Sequence, residues 1–200
     1  MPPSPTLGKR LEQVYEEMGG WERVGTMLTV DPPEQTRYRK LVSRAFTPRA
    51  IADLEPVIRS LTTSLIDAFV DDGTCEFVKQ FAVPLPVTVI AIALNVPDDR
   101  LADFKRWSDD NIAGIGTNIS DDDRVEAERS NIEFQHYFAG QLESRREDPR
   151  DDILTNLLNA RIDKAENLDI PDEPLTMAEM LSILQQLLVA GNETTTKMLT

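Results

Sequence analysis

Apolar residues recur along this chain at helical spacing, in blocks closed off by proline, glycine and acidic residues. From Tyr38 onward, Leu41, Val42, Ala45 and Phe46 fall on one face of a 3.6-residue period. Asp31 is placed to cap this helix, and Pro32 suits its first turn. Thr47 and Pro48 form the cap and first turn of a second helix, with Leu54, Ile58, Leu61, Leu65, Ile66 and Phe69 inward and Gly73 as its stop. Thr88 to Leu94 is rich in β-branched residues and reads as a strand by propensity, while Pro84, Pro86 and the turn residues 95–99 fit an all-round buried helix equally well. Asp99 to Ile119 predicts a weaker helix, with Leu101, Phe104 and Trp107 inward and Gly114 and Gly116 loosening its end. The acidic run from Ser120 opens a long polar helix to about Arg146, where negative charge suits the exposed amides of a helix start. A further helix crosses 151–162, and 163–174 reads as a loop.

The last helix has the sharpest signals. Thr176 and Glu179 form a capping box, followed by the apolar stripe Met177, Met180, Leu181, Leu184, Leu187 and Leu188. Continued at the same spacing, that stripe reaches Gly191, Thr194 and Met198 and predicts them on or beside the buried face. The fold class is therefore mainly α, with neither an internal repeat nor an interdomain linker.

Two hundred residues suit one domain or a large piece of one. The 35 acidic against 21 basic side chains give a net charge of −14, which argues against a general binder of nucleic acid or anionic membrane. Cys75 is the one cysteine, so there is no intramolecular disulfide and no paired-cysteine zinc or redox motif. His136 is the one histidine, which removes most histidine metal sites and histidine-dependent triads. The acidic run lacks the ligand spacing of a calcium loop. The N-terminus has no apolar core of the signal-peptide kind, and the longest oily stretch, 81–96, is shorter than a membrane span and holds two prolines. The expectation is a soluble cytoplasmic chain in which Trp21 and Trp107 pack and His136 sits on a helix surface.

Two stretches carry candidate chemistry. In "LVAGNETTT", residues 188–196, Gly191 removes a side chain where a large flat ligand could approach the helix backbone. Thr194 is set either to hydrogen-bond a preceding carbonyl or to offer its hydroxyl to a ligand, and a partly buried Glu193 could relay protons. The plain alternative is a solvent-facing glutamate on a threonine-rich helix end. The second stretch, Gln35 to Ala52, holds Arg37, Arg39, Lys40, Arg44 and Arg49 and no acid. Gln35 and Arg39 are four apart on one helix side, an arrangement that can clamp a carboxylate or phosphate. The alternative there is a solvated basic face.

"DPPEQTRYRKLVSRAFTP", "PLPVTVIAIALNVP" and "LLVAGNETT", in this order and spacing, resemble the cytochrome P450 family, specifically its soluble bacterial members. The resemblance runs from about Leu28 to Thr200, with 1–27 an N-terminal segment of uncertain assignment within a single partial domain. It implies a partial P450 fold from the C helix to a truncation inside the I helix, and haem b as cofactor. Arg39 would hold a haem propionate, and Gln35 stands where many bacterial members have histidine, making a weaker, uncharged contact. Ala190 and Gly191 would border the oxygen pocket, Glu193 would be the acid of the acid–threonine pair, and Thr194 would steer protons. Asn192 occupies a variable position and receives no role.

The resemblance further implies a monooxygenase that takes dioxygen, a small apolar organic substrate and electrons from a ferredoxin or flavodoxin-type donor. The basic C-helix face is a candidate surface for that donor. The family's downstream ligand-cysteine loop and the ExxR pair of its later helix do not appear in this chain, and Cys75, in a short acidic loop, lacks the ligand context. The axial cysteine is therefore expected downstream, no metal ligand is expected within the chain, and the 200 residues alone are expected to be inactive. The rival readings are a non-enzymatic helical interaction protein and a haem-binding module without oxygenase activity. A phosphate or nucleotide binder is the weakest, because no glycine-rich phosphate loop accompanies the basic run.

Overall fold

Helix starts in this chain are set by which residues can close the free amides of the first turn. The computed structural model of the protein describes residues 5–115, 119–161 and 173–200. Those residues form eight α-helices and no strand: α1 (Pro5–Met18), α2 (Glu34–Ala45), α3 (Pro48–Asp67), α4 (Pro84–Ala93), α5 (Leu101–Ile115), α6 (Asp121–Glu147), α7 (Ile153–Asn159) and α8 (Met177–Leu199). Thr47 caps α3 by accepting from the Ala50 amide at 3.1 Å, with Pro48 in its first turn. Ser120 and Asp123 form a reciprocal capping box on α6, and Thr176 and Glu179 form another on α8. Asp152 caps α7 through the Thr155 amide at 2.8 Å.

Two expectations need correction, and one open choice is decided. Asp31 does not cap α2, which starts at Glu34 after Pro33 without a side-chain cap. Prolines at 32 and 33 lack the N–H groups that such a cap would engage, and Asp31 instead accepts the Gln35 amide on its backbone carbonyl at 3.1 Å. Residues 88–93 lie in α4, with Leu94 as its C-cap, so of the two readings left open the helix holds and the two prolines start it. Helix α3 ends at Asp67, before a separate 3₁₀ turn at Val70–Asp72, and buries none of its residues fully. Ile66, expected inward, is 39% exposed, because α3 packs mainly on α4 and on the short turns beside it. Gly73 does terminate the 3₁₀ turn, in the left-handed region at φ 68°. Gly116 and most of the loop expected at 163–174 lie outside the described residues.

The core runs along α6. On one side Phe104 and Trp107 of α5 meet Phe134 and Phe138, the Trp107 and Phe134 rings standing edge to face at 5.9 Å. On another side α1 is held by polar contacts: Tyr15 donates to Glu128 at 2.7 Å, and the Gln135 amide closes both the N–H and the C=O of Trp21 at 2.9 and 3.0 Å. Trp21 also meets His136 edge-on, and His136 Nε2 donates to the Met18 carbonyl. Helix α2 packs on α7, and α8 lies against α4, α5 and α6. Met180, Leu181, Ile183, Leu184 and Leu188 bring α8 into the shared core with Leu41 and Ala45 of α2 and Ala91 of α4. No described helix is long and apolar enough to cross a membrane.

Candidate functional site

The basic run folds into two faces with opposite fates. Arg37 is 9% exposed and turns inward, donating to Glu179 of α8 at 2.9 Å and to the Glu173 carbonyl at 3.0 Å. Two residues to either side, Gln35 and Arg39 face the other way and share an open concavity of about 480 Å³ with Thr36, Lys40, Ser43 and Arg44. Arg39 is exposed there, while Gln35 is half-buried. The expected pairing of an amide with a guanidinium on one helix side is thus present, and its setting is cationic and water-accessible. Arg49 lies outside this concavity, loosely paired with Asp53 at 3.8 Å on an exposed turn of α3.

On α8 the buried stripe does not continue as its spacing predicts. After Leu188 it passes to Asn192, which is 4% exposed, whereas Thr194 and Met198 are exposed, Met198 at 78%. The physical reason lies in the neighbours. Asn192 Nδ2 donates to Ser108 Oγ of α5 at 2.8 Å, both groups being buried, so this side of the helix faces α5. Gly191 faces α4 closely: a Cβ built on it would lie 2.7 Å from Cδ1 of Ile90. Glycine here lets α8 approach the Ile90 side chain without displacing it. Ala190, Thr194 and Met198, at i, i+4 and i+8, form an uncovered strip on the same helix.

Within that strip the Thr194 hydroxyl donates to the Ala190 carbonyl at 2.6 Å, which is the back-bonded of the two states open to it. Helix α8 runs through this point unbroken to Leu199. Glu193 is half-buried and its Oε1 accepts from Lys197 Nζ at 2.6 Å. Thr196, one turn beyond Asn192, donates to the Ala82 carbonyl at 3.0 Å, with Asn192 Oδ1 as a second acceptor at 3.4 Å.

Buried ion pairs hold the two regions in place. Glu179 closes the first turn of α8, accepts from Tyr38 at 2.8 Å and pairs with Arg37. Burial alone would raise its carboxyl, but the Thr176 amide, Tyr38, Arg37 and the Thr176 hydroxyl together outweigh it and hold Glu179 below the usual glutamate value. Asp152 follows the same logic: burial opposes its charge, and the Thr155 amide, Arg145 and the Thr155 hydroxyl lower its pKa overall. The Arg145 side chain is fully buried, with Nε donating to Asp152 at 2.7 Å. Sequence spacing placed Gln35 and Arg39 on one helix side and left Arg37 within the basic run, and its partner Glu179, 142 positions away, could not be paired with it from spacing. The same holds for Asn192 and Ser108, 84 positions apart. Cys75 is exposed, and among the described residues no three histidine, cysteine, aspartate or glutamate side chains cluster as a metal site.

No protein-family model matches the chain. Among curated proteins it is 39% identical over 177 residues to "Cytochrome P450 109" of Bacillus spizizenii, a match covering 87% of this chain and 42% of that one. Among solved structures it is similar to cytochrome P450 CYP109Q5 from Chondromyces apiculatus, with a TM-score of 0.72 at 37% identity, covering 94% of this chain and 48% of that one. CYP109E1 from Bacillus megaterium, solved in complex with testosterone, gives a TM-score of 0.71 at 32% identity, with 94% and 48% covered. The chain spans less than half the length of these relatives.

Proposed function

Because the chain belongs to the cytochrome P450 family, we propose that it forms part of a haem-thiolate monooxygenase that inserts one atom of dioxygen into an apolar organic substrate. The observation that carries this reading is the uncovered strip Ala190, Thr194 and Met198 on a helix whose Met180, Leu184 and Leu188 are sunk in the core. Haem b is a flat apolar macrocycle bearing two carboxylates. The residues present fit it: α8 offers a small-residue and apolar strip beside Glu193, and α2 offers a cationic concavity for carboxylates.

In this reading Arg39 pairs with a propionate and Gln35 adds one uncharged hydrogen bond, while Ala190 and Gly191 border the oxygen pocket. When bound, the haem supplies the iron chemistry that activates dioxygen with two electrons and two protons. A thiolate ligand for the haem iron would come from a cysteine outside residues 1–200, so these residues alone would be inactive. Thr194 Oγ1 is poised to turn from the Ala190 carbonyl and present its proton to the pocket. Glu193 passes protons inward once it leaves Lys197, and that exposed pair, at 40% and 73% side-chain exposure, is weak enough to open readily. Electrons arrive from a ferredoxin or flavodoxin-type protein in the cytoplasm, for which the basic α2 face is the docking candidate. The testosterone complex of CYP109E1 supports a rigid apolar substrate such as a steroid.

The test is the absorption spectrum of the natively expressed gene product after reduction and carbon monoxide addition, with intact mass on the same sample. A thiolate-type band is the expected result. A 200-residue product that binds no haem would replace this reading with that of a non-enzymatic helical interaction module.

A further inference from the structure

The polar groups on the inner side of α8 have no part in the proposed chemistry, yet each reaches out of its own helix. Ser182 Oγ accepts from the Val24 amide at 3.2 Å, and Gln185 donates to Asn111 of α5. Asn192 donates to Ser108, and Thr196 donates to the Ala82 carbonyl. These positions follow one another at three- and four-residue steps or their sums, so they form a single seam along the helix. The deepest contact is the one between Asn192 and Ser108, at 4% and 0% exposure.

We propose that Asn192 is a positioning residue, which through Ser108 and Thr196 fixes the rotation of the last turns of α8 and so sets the direction in which Glu193 and Thr194 point. On a helix, Glu193 and Thr194 lie about 100° and about 200° around from Asn192. Holding Asn192 inward therefore turns Thr194 outward. Apolar packing leaves this choice open, because steps of three and four from Leu184 and Leu188 reach both Gly191 and Asn192. A roll toward the Gly191 register strips both Asn192 and Ser108 of a buried partner, which a hydrogen-bonded pair penalises and an apolar contact would not. The approach of Gly191 to Ile90 admits the selected register without a side chain in the way. Glu193 and Thr194 matter here through the proposed monooxygenase reaction, on which the role of this orientation rests.

The test reads rotation directly on the 200-residue chain. In a Cys75→Ser background, Ala190→Cys, Thr194→Cys and Met198→Cys report the exposed strip, and Val189→Cys and Thr195→Cys report its flanks, through their rates of reaction with a water-soluble maleimide. The strip reacts fastest in the otherwise unchanged chain. Ser108→Ala lowers the strip-to-flank ratio by about fivefold, the factor matching one lost buried hydrogen bond. The exchanged pair Ser108→Asn with Asn192→Ser restores it. Far-UV circular dichroism on each sample checks helix content, and Asn192→Leu is the second variant should Ser108→Ala lose it. An unchanged ratio in a folded variant overturns the positioning role and leaves the haem reading intact. Conversely, a lowered ratio in a chain whose native product binds no haem keeps the rotation and removes its link to oxygen chemistry.

Discussion

At Arg39, exposure and chemistry point the same way: a guanidinium held on the open side of α2 is available to an anion that Arg37, turned inward, cannot reach. Arg39→Ala in the haem-loaded native product should speed haem loss to a competing apoprotein by about tenfold, the scale of one charge-assisted hydrogen bond. Gln35→Ala should have the smaller effect, since its amide carries no charge. Unchanged transfer kinetics in Arg39→Ala would make the arginine a solubility device. Gly191 offers a test of packing instead. Alanine gains about 1 kcal/mol in helix propensity over glycine, but its Cβ would sit 2.7 Å from Ile90 Cδ1, and overpacking of this kind costs about 1–3 kcal/mol. The cost wins by about 1 kcal/mol, so thermal melting of Gly191→Ala should fall below the parent. Adding Ile90→Val, which removes the clashing methyl, should restore most of it.

Among the helices, neighbours on α6 have very different worth. Arg145 is fully buried and paired with Asp152, while Arg146 beside it pairs with Glu143 in solvent. Urea unfolding should show Arg145→Ala destabilised by about 3–5 kcal/mol, because the carboxylate of Asp152 is left in the interior, and Arg146→Ala shifted by no more than about 0.5 kcal/mol. Local signals made many element boundaries legible: Thr47 with Pro48 and Thr176 with Glu179 mark helix starts where the structure has them. They failed at Asp31, where two prolines remove the amides that a cap would bind, and they left 84–94 undecided because β-branched content competes with proline placement. The inward face of α3 was over-read, since periodicity reveals which residues share a side and not whether another element covers it. At the candidate site, Gln35 and Arg39 were paired from spacing alone, and Gly191 was placed beside the buried face, whereas the burial of Asn192 was missed because its partner, Ser108, sits on a different helix.

For the molecule as a whole, acid is the condition that separates its buried carboxylates from the many exposed ones. Glu179 and Asp152 are held below their usual values of 4.5 and 3.8, so near those pH values the unfolded chain binds protons that the folded chain refuses. Their contribution is complete above the usual values and is lost as pH falls through the lower folded ones. Melting temperature should accordingly drop with pH across that window, and Glu179→Gln should lower it at neutral pH while flattening the slope. An equally steep profile in Glu179→Gln would assign the acid sensitivity elsewhere. Glu179 carries one more consequence. It closes the first turn of α8 and receives Arg37 and Tyr38 from α2, so a single carboxylate anchors the helix of the cationic concavity to the helix of the threonine strip. Thr194 lies fifteen residues farther along α8, roughly 22 Å at helical rise, and a tilt of about 3° at the anchor would swing it by about 1 Å. The helix is thus a long lever whose pivot lies far from its working end, and an alteration at the pivot reaches the reacting groups without touching them.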